Sequence, residues 1–69
     1  MNTNLLKAHM ALRGDTLNML AEALGITRQA LHNKMRGRSQ FKQREIRVIC
    51  ERYNLKPDDM ITLFFGGAA

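Results

Sequence analysis

Residues 27–36, Thr-Arg-Gln-Ala-Leu-His-Asn-Lys-Met-Arg, place several hydrogen-bonding side chains along one side of a predicted helix. At about 100° per residue, Arg28, Gln29 and His32 lie on the outward arc when Leu31 faces the protein interior. Arginine can donate two hydrogen bonds to O6 and N7 of guanine, and a glutamine amide can pair with N6 and N7 of adenine. The pattern therefore predicts base reading by Arg28 and Gln29. His32 is either a third DNA contact or a neutral surface histidine.

The helix that carries these residues needs another element to hold it at the protein surface. The sequence before residue 28 predicts a second short helix and a tight turn in this role. Gly25 stands where a left-handed residue ends a helix most readily, and Thr27 can cap the helix that follows. Two helices joined in this way form a helix-turn-helix, whose second helix enters the major groove of DNA. The apolar residues before the turn follow the spacing of one buried stripe: Leu17, Leu20, Ala21 and Leu24.

The segment resembles the lambda-type repressor/Cro family of helix-turn-helix regulators, also called the XRE family. The family's anchor residues are matched by Ala21, Gly25 and Leu31. The resemblance implies an all-α, five-helix fold and a phage Cro-like protein or compact repressor that binds a palindromic operator as a homodimer. The family often has a DNA-contacting Gln directly after the first cap, but Leu17 stands there in this chain.

The positive charge of the chain is concentrated around this segment. The net charge is +5, and residues 28–47 contain seven basic residues against the single acid Glu45. Such a concentration is the electrostatic footprint of a nucleic-acid-binding face. Thr16 and Thr27 can add hydroxyl or amide contacts to phosphate, although helix capping alone also explains them. The resemblance also implies contacts to the phosphates of the DNA backbone from the end of the third helix, the loop after it and the start of the fourth helix. The residues predicted to make these contacts are Asn33, Arg36, Arg38, Lys42 and Arg44.

Three further helices complete the predicted all-α domain, which spans residues 1–65 and leaves 66–69 as a disordered tail. The first is expected over about residues 3–13, the fourth over about 42–53, and the fifth begins near Pro57, which suits a first helical turn. Phe41 is expected in the core, and Lys34 is expected to lean on the protein and extend outward. The core stripe predicted for the fourth helix consists of Ile46, Ile49, Cys50 and Tyr53.

No arrangement of residues indicates catalysis, a cofactor or a small-molecule ligand. The chain lacks a Ser/His/Asp set and a Gly-rich phosphate loop, and two histidines with one cysteine give no metal-site spacing. Met60 to Phe65, the longest nearly apolar run, is too short to cross a bilayer. The N-terminus lacks the features of a secretory signal, so a cytoplasmic protein without a membrane partner is expected.

The C-terminal apolar residues suggest how a homodimer could form. An exposed apolar patch of Val48, Leu63, Phe64 and Phe65 would provide an interface, although the two Phe side chains could instead close the core. A competing function is a protein-interaction modulator or antirepressor that keeps the fold but binds another regulator. Leu17 favours this alternative, whereas the basic residues between 28 and 47 favour DNA.

Overall fold

The computed structural model describes residues 1–65, and this part of the chain contains five α-helices and no strand. The prediction of an all-α, five-helix architecture is therefore confirmed, whereas the predicted tail, residues 66–69, lies outside the described residues. No helix in the described part is long and apolar enough to cross a membrane. The helices are α1 (Thr3–Arg13), α2 (Leu17–Leu24), α3 (Arg28–Met35), α4 (Gln43–Arg52) and α5 (Pro57–Phe64).

Local signals in the sequence determine where the first three helices begin and end. Asn2 Oδ1 accepts a hydrogen bond from the Leu5 backbone N–H at 3.1 Å and so caps α1. Gly14 follows α1 and Gly25 follows α2, with φ values of 67° and 72°. These left-handed conformations suit glycine, because a Cβ atom would be strained there. Both α1 and α2 therefore end at a glycine in the left-handed conformation.

The core is formed by apolar residues from all five helices. Leu20 and Leu24 of α2 pack with Leu31 of α3, and each is fully buried. Burying one leucine side chain contributes about 1.5–3 kcal/mol, so this cluster gives α2 and α3 a fixed mutual position. The complete set of buried apolar residues is Leu6, Met10, Leu20, Ala21, Leu24, Leu31, Met35, Ile49, Tyr53 and Leu63.

The end of α5 differs from the predicted dimer patch. Leu63 is fully buried, so its inclusion in an exposed patch was wrong. The Leu63 carbonyl also accepts a hydrogen bond from the Asn2 N–H at 2.8 Å, which fixes α5 beside the start of α1. Phe64 is half-buried and packs edge-to-face on Phe41, with ring centroids 5.6 Å apart. Phe65 is 70% exposed.

The inner face of α4 also differs from the predicted stripe. Ile49 and Tyr53 are buried as expected, whereas Ile46 and Cys50 are only half-buried. Glu45 is buried among the apolar residues with 1% of its surface exposed. A buried carboxylate requires hydrogen-bonding partners, so the helix turns this side chain toward α3, where a lysine meets it.

A second polar contact holds α4 against the loop between α1 and α2. Arg52 donates two hydrogen bonds to the carboxylate of Asp15, at 2.6 and 2.7 Å, and the Tyr53 hydroxyl donates a third at 2.6 Å. The bond from Arg52 outweighs burial and, together with that from Tyr53, holds the pKa of Asp15 below its ordinary value. Burial and the bond to Asp15 raise the pKa of Tyr53. This network fixes the start of α2.

Candidate nucleic-acid interface

The turn between α2 and α3 determines how α3 is presented at the surface. After Gly25, the backbone N–H of Ile26 donates to the Ala21 carbonyl at 3.0 Å, which closes the end of α2. Thr27 Oγ1 then accepts a hydrogen bond from the Ala30 N–H at 3.0 Å and starts α3. On α3, Leu31 is fully buried and therefore turns the opposite side of the helix outward.

The three predicted base-reading residues lie together on this outward side. Arg28, Gln29 and His32 are exposed, and together with Leu17 they line one open concavity of about 490 Å³. The concavity lies between the first turn of α2 and the first turns of α3. The arrangement can present an arginine fork and a primary amide to the same short stretch of DNA.

A hydrogen bond along α3 orients the amide of Gln29. Gln29 Nε2 donates to Asn33 Oδ1 at 3.2 Å, one helical turn further along. A primary amide has two N–H donors and one carbonyl acceptor. Gln29 can therefore keep its bond to Asn33 while its second N–H and its Oε1 pair with adenine. Asn33, which was expected to contact phosphate, accepts a hydrogen bond from Gln29 in this structure, and its amide N–H groups can still donate to a phosphate.

His32 and Arg36 form a similar pair. Arg36 NH1 lies 3.4 Å from His32 Nε2, and this contact is a hydrogen bond in the tautomer whose Nε2 accepts, because a guanidinium can only donate. In that tautomer, the Nδ1–H group can donate a hydrogen bond to a base or a phosphate. Arg36 is exposed, and its guanidinium has further donors for DNA.

Thr16 and Thr27 occupy the equivalent positions at the starts of α2 and α3. Thr16 Oγ1 accepts a hydrogen bond from the Met19 N–H at 3.1 Å, as Thr27 Oγ1 does from Ala30. Both residues therefore cap helices, the simpler of their two predicted roles. Each hydroxyl uses its oxygen as an acceptor in the cap, so its proton can still be donated to a phosphate.

The predicted phosphate contacts after α3 surround the loop that leads into α4. Arg38, Lys42 and Arg44 are exposed, as are Arg36 and Arg47. Arg44 also donates to the Leu24 carbonyl at 3.0 Å, so it satisfies one of the carbonyls at the end of α2 in addition to carrying charge on the surface. The exposed basic side chains from the end of α3 to the first half of α4 are together named the basic surface: Arg36, Arg38, Lys42, Arg44 and Arg47.

The position of the Lys34 side chain differs from the sequence prediction. Its side chain is only 10% exposed and does not extend outward, because Nζ lies 2.6 Å from Glu45 Oε1. Glu45 Oε1 also accepts a hydrogen bond from the Lys42 N–H at 2.8 Å and so caps α4. Sequence reasoning missed this role of Glu45. The available signal was the position of the only acid in residues 28–47, three residues after Lys42, as in a capping box.

Five short helices, a glycine turn between α2 and α3, and an exposed polar face on α3 define a helix-turn-helix protein. A family model described as a helix-turn-helix domain matches residues 4–63. The chain belongs to this helix-turn-helix family, which indicates a DNA-binding regulator. No curated protein sequence and no solved structure gives a significant match to the chain.

Proposed function

We propose that this chain is a sequence-specific transcriptional regulator of the lambda-type repressor/Cro kind, and that α3 is its recognition helix. The observation that carries the proposal is the placement of Arg28, Gln29 and His32 together on the exposed side of α3. The opposite side of that helix is anchored in the core by Leu31. A rigid support of this kind positions base-reading side chains better than a loop does.

The basic surface supports DNA rather than a neutral partner. Lys34 and Glu45 compensate each other inside the protein, so the exposed part of residues 28–47 carries basic side chains without an acidic one. Phosphate contacts by such residues position the protein on the duplex, and base contacts supply the sequence preference. The residues that we assign to phosphate are Thr16, Thr27, Asn33, Arg36, Arg38, Lys42 and Arg44.

We further propose a homodimer that binds two inverted half-sites. Two exposed apolar residues lie one helical turn apart here, Ile61 in α5 and Phe65 directly after it, and the buried Leu63 anchors the helix. Phe64 and Val48 are half-buried and can contribute their exposed edges to the interface. Two-fold pairing would place the two recognition helices on successive turns of the major groove.

Selection of bound duplexes from a random DNA pool tests the proposal directly. We expect enrichment of an inverted repeat whose half-sites lie about one helical turn apart. The matched control is the Arg28→Ala/Gln29→Ala double variant, which keeps the basic surface and should bind DNA without enriching that sequence. If the unmodified protein enriches no sequence, the proposed function is wrong.

The alternative is a protein-interaction modulator or antirepressor that keeps the fold but binds another regulator. One observation favours it: Leu12 on α1 is 82% exposed and Met19 on α2 is 46% exposed, which gives the chain apolar surface away from α5. A protein with this alternative function needs no sequence preference for DNA. The same selection therefore separates the two functions.

A further inference from the structure

Leu17 occupies an unusual position for an apolar residue of α2. Leu20 and Leu24 of the same helix are fully buried, whereas Leu17 is half-buried. One part of its side chain packs on the core, and the rest lines the concavity shared with Arg28 and Gln29. The side chain therefore presents an apolar surface at the place where DNA bases are expected.

The chemistry of the DNA major groove restricts what this surface can recognise. The base edges present hydrogen-bond donors and acceptors, which a leucine cannot pair with. They also present one apolar group, the C5-methyl of thymine. Arg28 and Gln29 supply the polar contacts of the concavity, and Leu17 is the apolar residue among the described residues that line it.

We propose that Leu17 contacts the C5-methyl group of one thymine in each half-site, beside the base that Arg28 reads. The proposal rests on the proposed DNA-binding function and adds a specificity-determining residue to it. In this arrangement, the apolar side chain and the methyl group exclude water from each other when the complex forms. The polar side chains nearby keep their own hydrogen bonds to neighbouring bases.

Replacing thymine by deoxyuridine isolates this contact, because deoxyuridine lacks the methyl group and keeps every hydrogen-bonding group of thymine. In the selected duplex, each thymine of a half-site is replaced in turn, and the Kd is measured for the unmodified protein and for Leu17→Ala. We expect one replacement to weaken binding by the unmodified protein roughly fourfold, the effect of one buried apolar carbon. The same replacement should change binding by Leu17→Ala by less than about twofold, the error within which independent changes add.

Met19→Ala is the matched control. Met19 is an exposed apolar residue of the same helix, but it lines a different concavity with Glu22, Ala23 and Arg52. This variant should keep the full sensitivity to the replaced thymine. Circular dichroism checks that each variant is helical, and Leu17→Val, which shortens the side chain by one carbon, replaces Leu17→Ala if the latter unfolds.

The outcomes separate this inference from the function on which it rests. Equal sensitivity of the unmodified protein and the Leu17 variant at every thymine overturns the methyl contact but leaves DNA binding intact. Absence of any enriched duplex overturns both. A sensitive thymine whose effect disappears in the Leu17 variant and persists in Met19→Ala supports the assignment.

Discussion

Lys34 Nζ lies 2.6 Å from Glu45 Oε1, and this buried ion pair joins α3 to the start of α4. Burial disfavours the ionised form of Glu45. Hydrogen bonds from Lys34 and from the Lys42 N–H, with the positive charges of both residues, outweigh that effect and hold the pKa of Glu45 below its ordinary value. One carboxylate therefore fixes α3 relative to the loop and the start of α4, which carry most of the basic surface.

Removing Glu45 should destabilise the domain strongly. Glu45→Ala leaves the mostly buried ammonium of Lys34 without its carboxylate, and breaking a buried pair in this way costs about 3–5 kcal/mol. The free energy of unfolding is measured by urea denaturation. The Lys34→Met/Glu45→Leu double variant is the control, since apolar replacement of both partners should recover much of the loss. Unchanged stability of Glu45→Ala would contradict the importance of this pair.

Stability should also fall in acid. Asp15 and Glu45 both have lowered pKa values in the folded protein. The two carboxylates therefore stabilise the folded state fully when the pH is above the pKa values that they have in the unfolded chain. This stabilisation is lost as the pH falls below about 4 and the carboxylates become protonated. Urea denaturation between pH 3 and pH 7 measures this change. Asp15→Asn should be less stable at pH 7 and less dependent on pH, and an unaltered pH profile would show that Asp15 contributes little.

Local chemistry explains why most of the fold could be predicted from the sequence. A cap such as Thr27 and a turn residue such as Gly25 act within a few positions, so their pattern identifies the helix ends. The pairing of Lys34 with Glu45 joins residues 11 positions apart in different helices, and helical periodicity contains no information about it. The pattern of α5 was ambiguous for another reason: its apolar residues cover about half of the helix surface, so spacing alone did not show that Leu63 is the one that faces the core.

In the candidate site, too, spacing predicts which residues are exposed but not which side chains bond to each other. The outward arc of α3 follows from its periodicity once Leu31 is buried, so the sequence could identify the exposed residues Arg28 and Gln29. The hydrogen bond from Gln29 to Asn33 and that from Arg44 to the Leu24 carbonyl depend on side-chain conformations, which spacing does not determine.

Binding to DNA should depend strongly on salt. If the basic surface and the helix caps neutralise about four to six phosphates per subunit, log K should fall with log salt at a slope of about −4 to −5 per subunit. Fluorescence anisotropy of a labelled duplex at several salt concentrations measures the slope. A slope near zero would contradict electrostatic binding of DNA by residues 28–47.

Base-reading and phosphate-binding residues should respond differently to mutation. Gln29→Ala should weaken binding to the selected duplex by about 1–3 kcal/mol and have little effect on random DNA. Arg38→Ala should weaken binding to both and reduce the salt slope by about one unit. Measuring the Kd of each variant on both duplexes makes the comparison. If Gln29→Ala leaves the sequence preference unchanged, the base-reading face has been assigned to the wrong residues.

A substitution of Phe65 tests the exposed apolar surface at the end of α5. Phe65→Ser should yield a folded, helical monomer, because Phe65 is 70% exposed and contributes little to the core. The monomer should bind one half-site weakly, since pairing two modules raises the effective concentration at the second half-site. Sedimentation equilibrium measures the mass, and Leu12→Ser, which removes an equally apolar exposed residue from α1, should remain dimeric. By contrast, Leu63→Ala should lose about 2–5 kcal/mol of stability, because it leaves a cavity in the core. A Phe65→Ser protein that stays dimeric and binds the full operator normally would place the interface elsewhere.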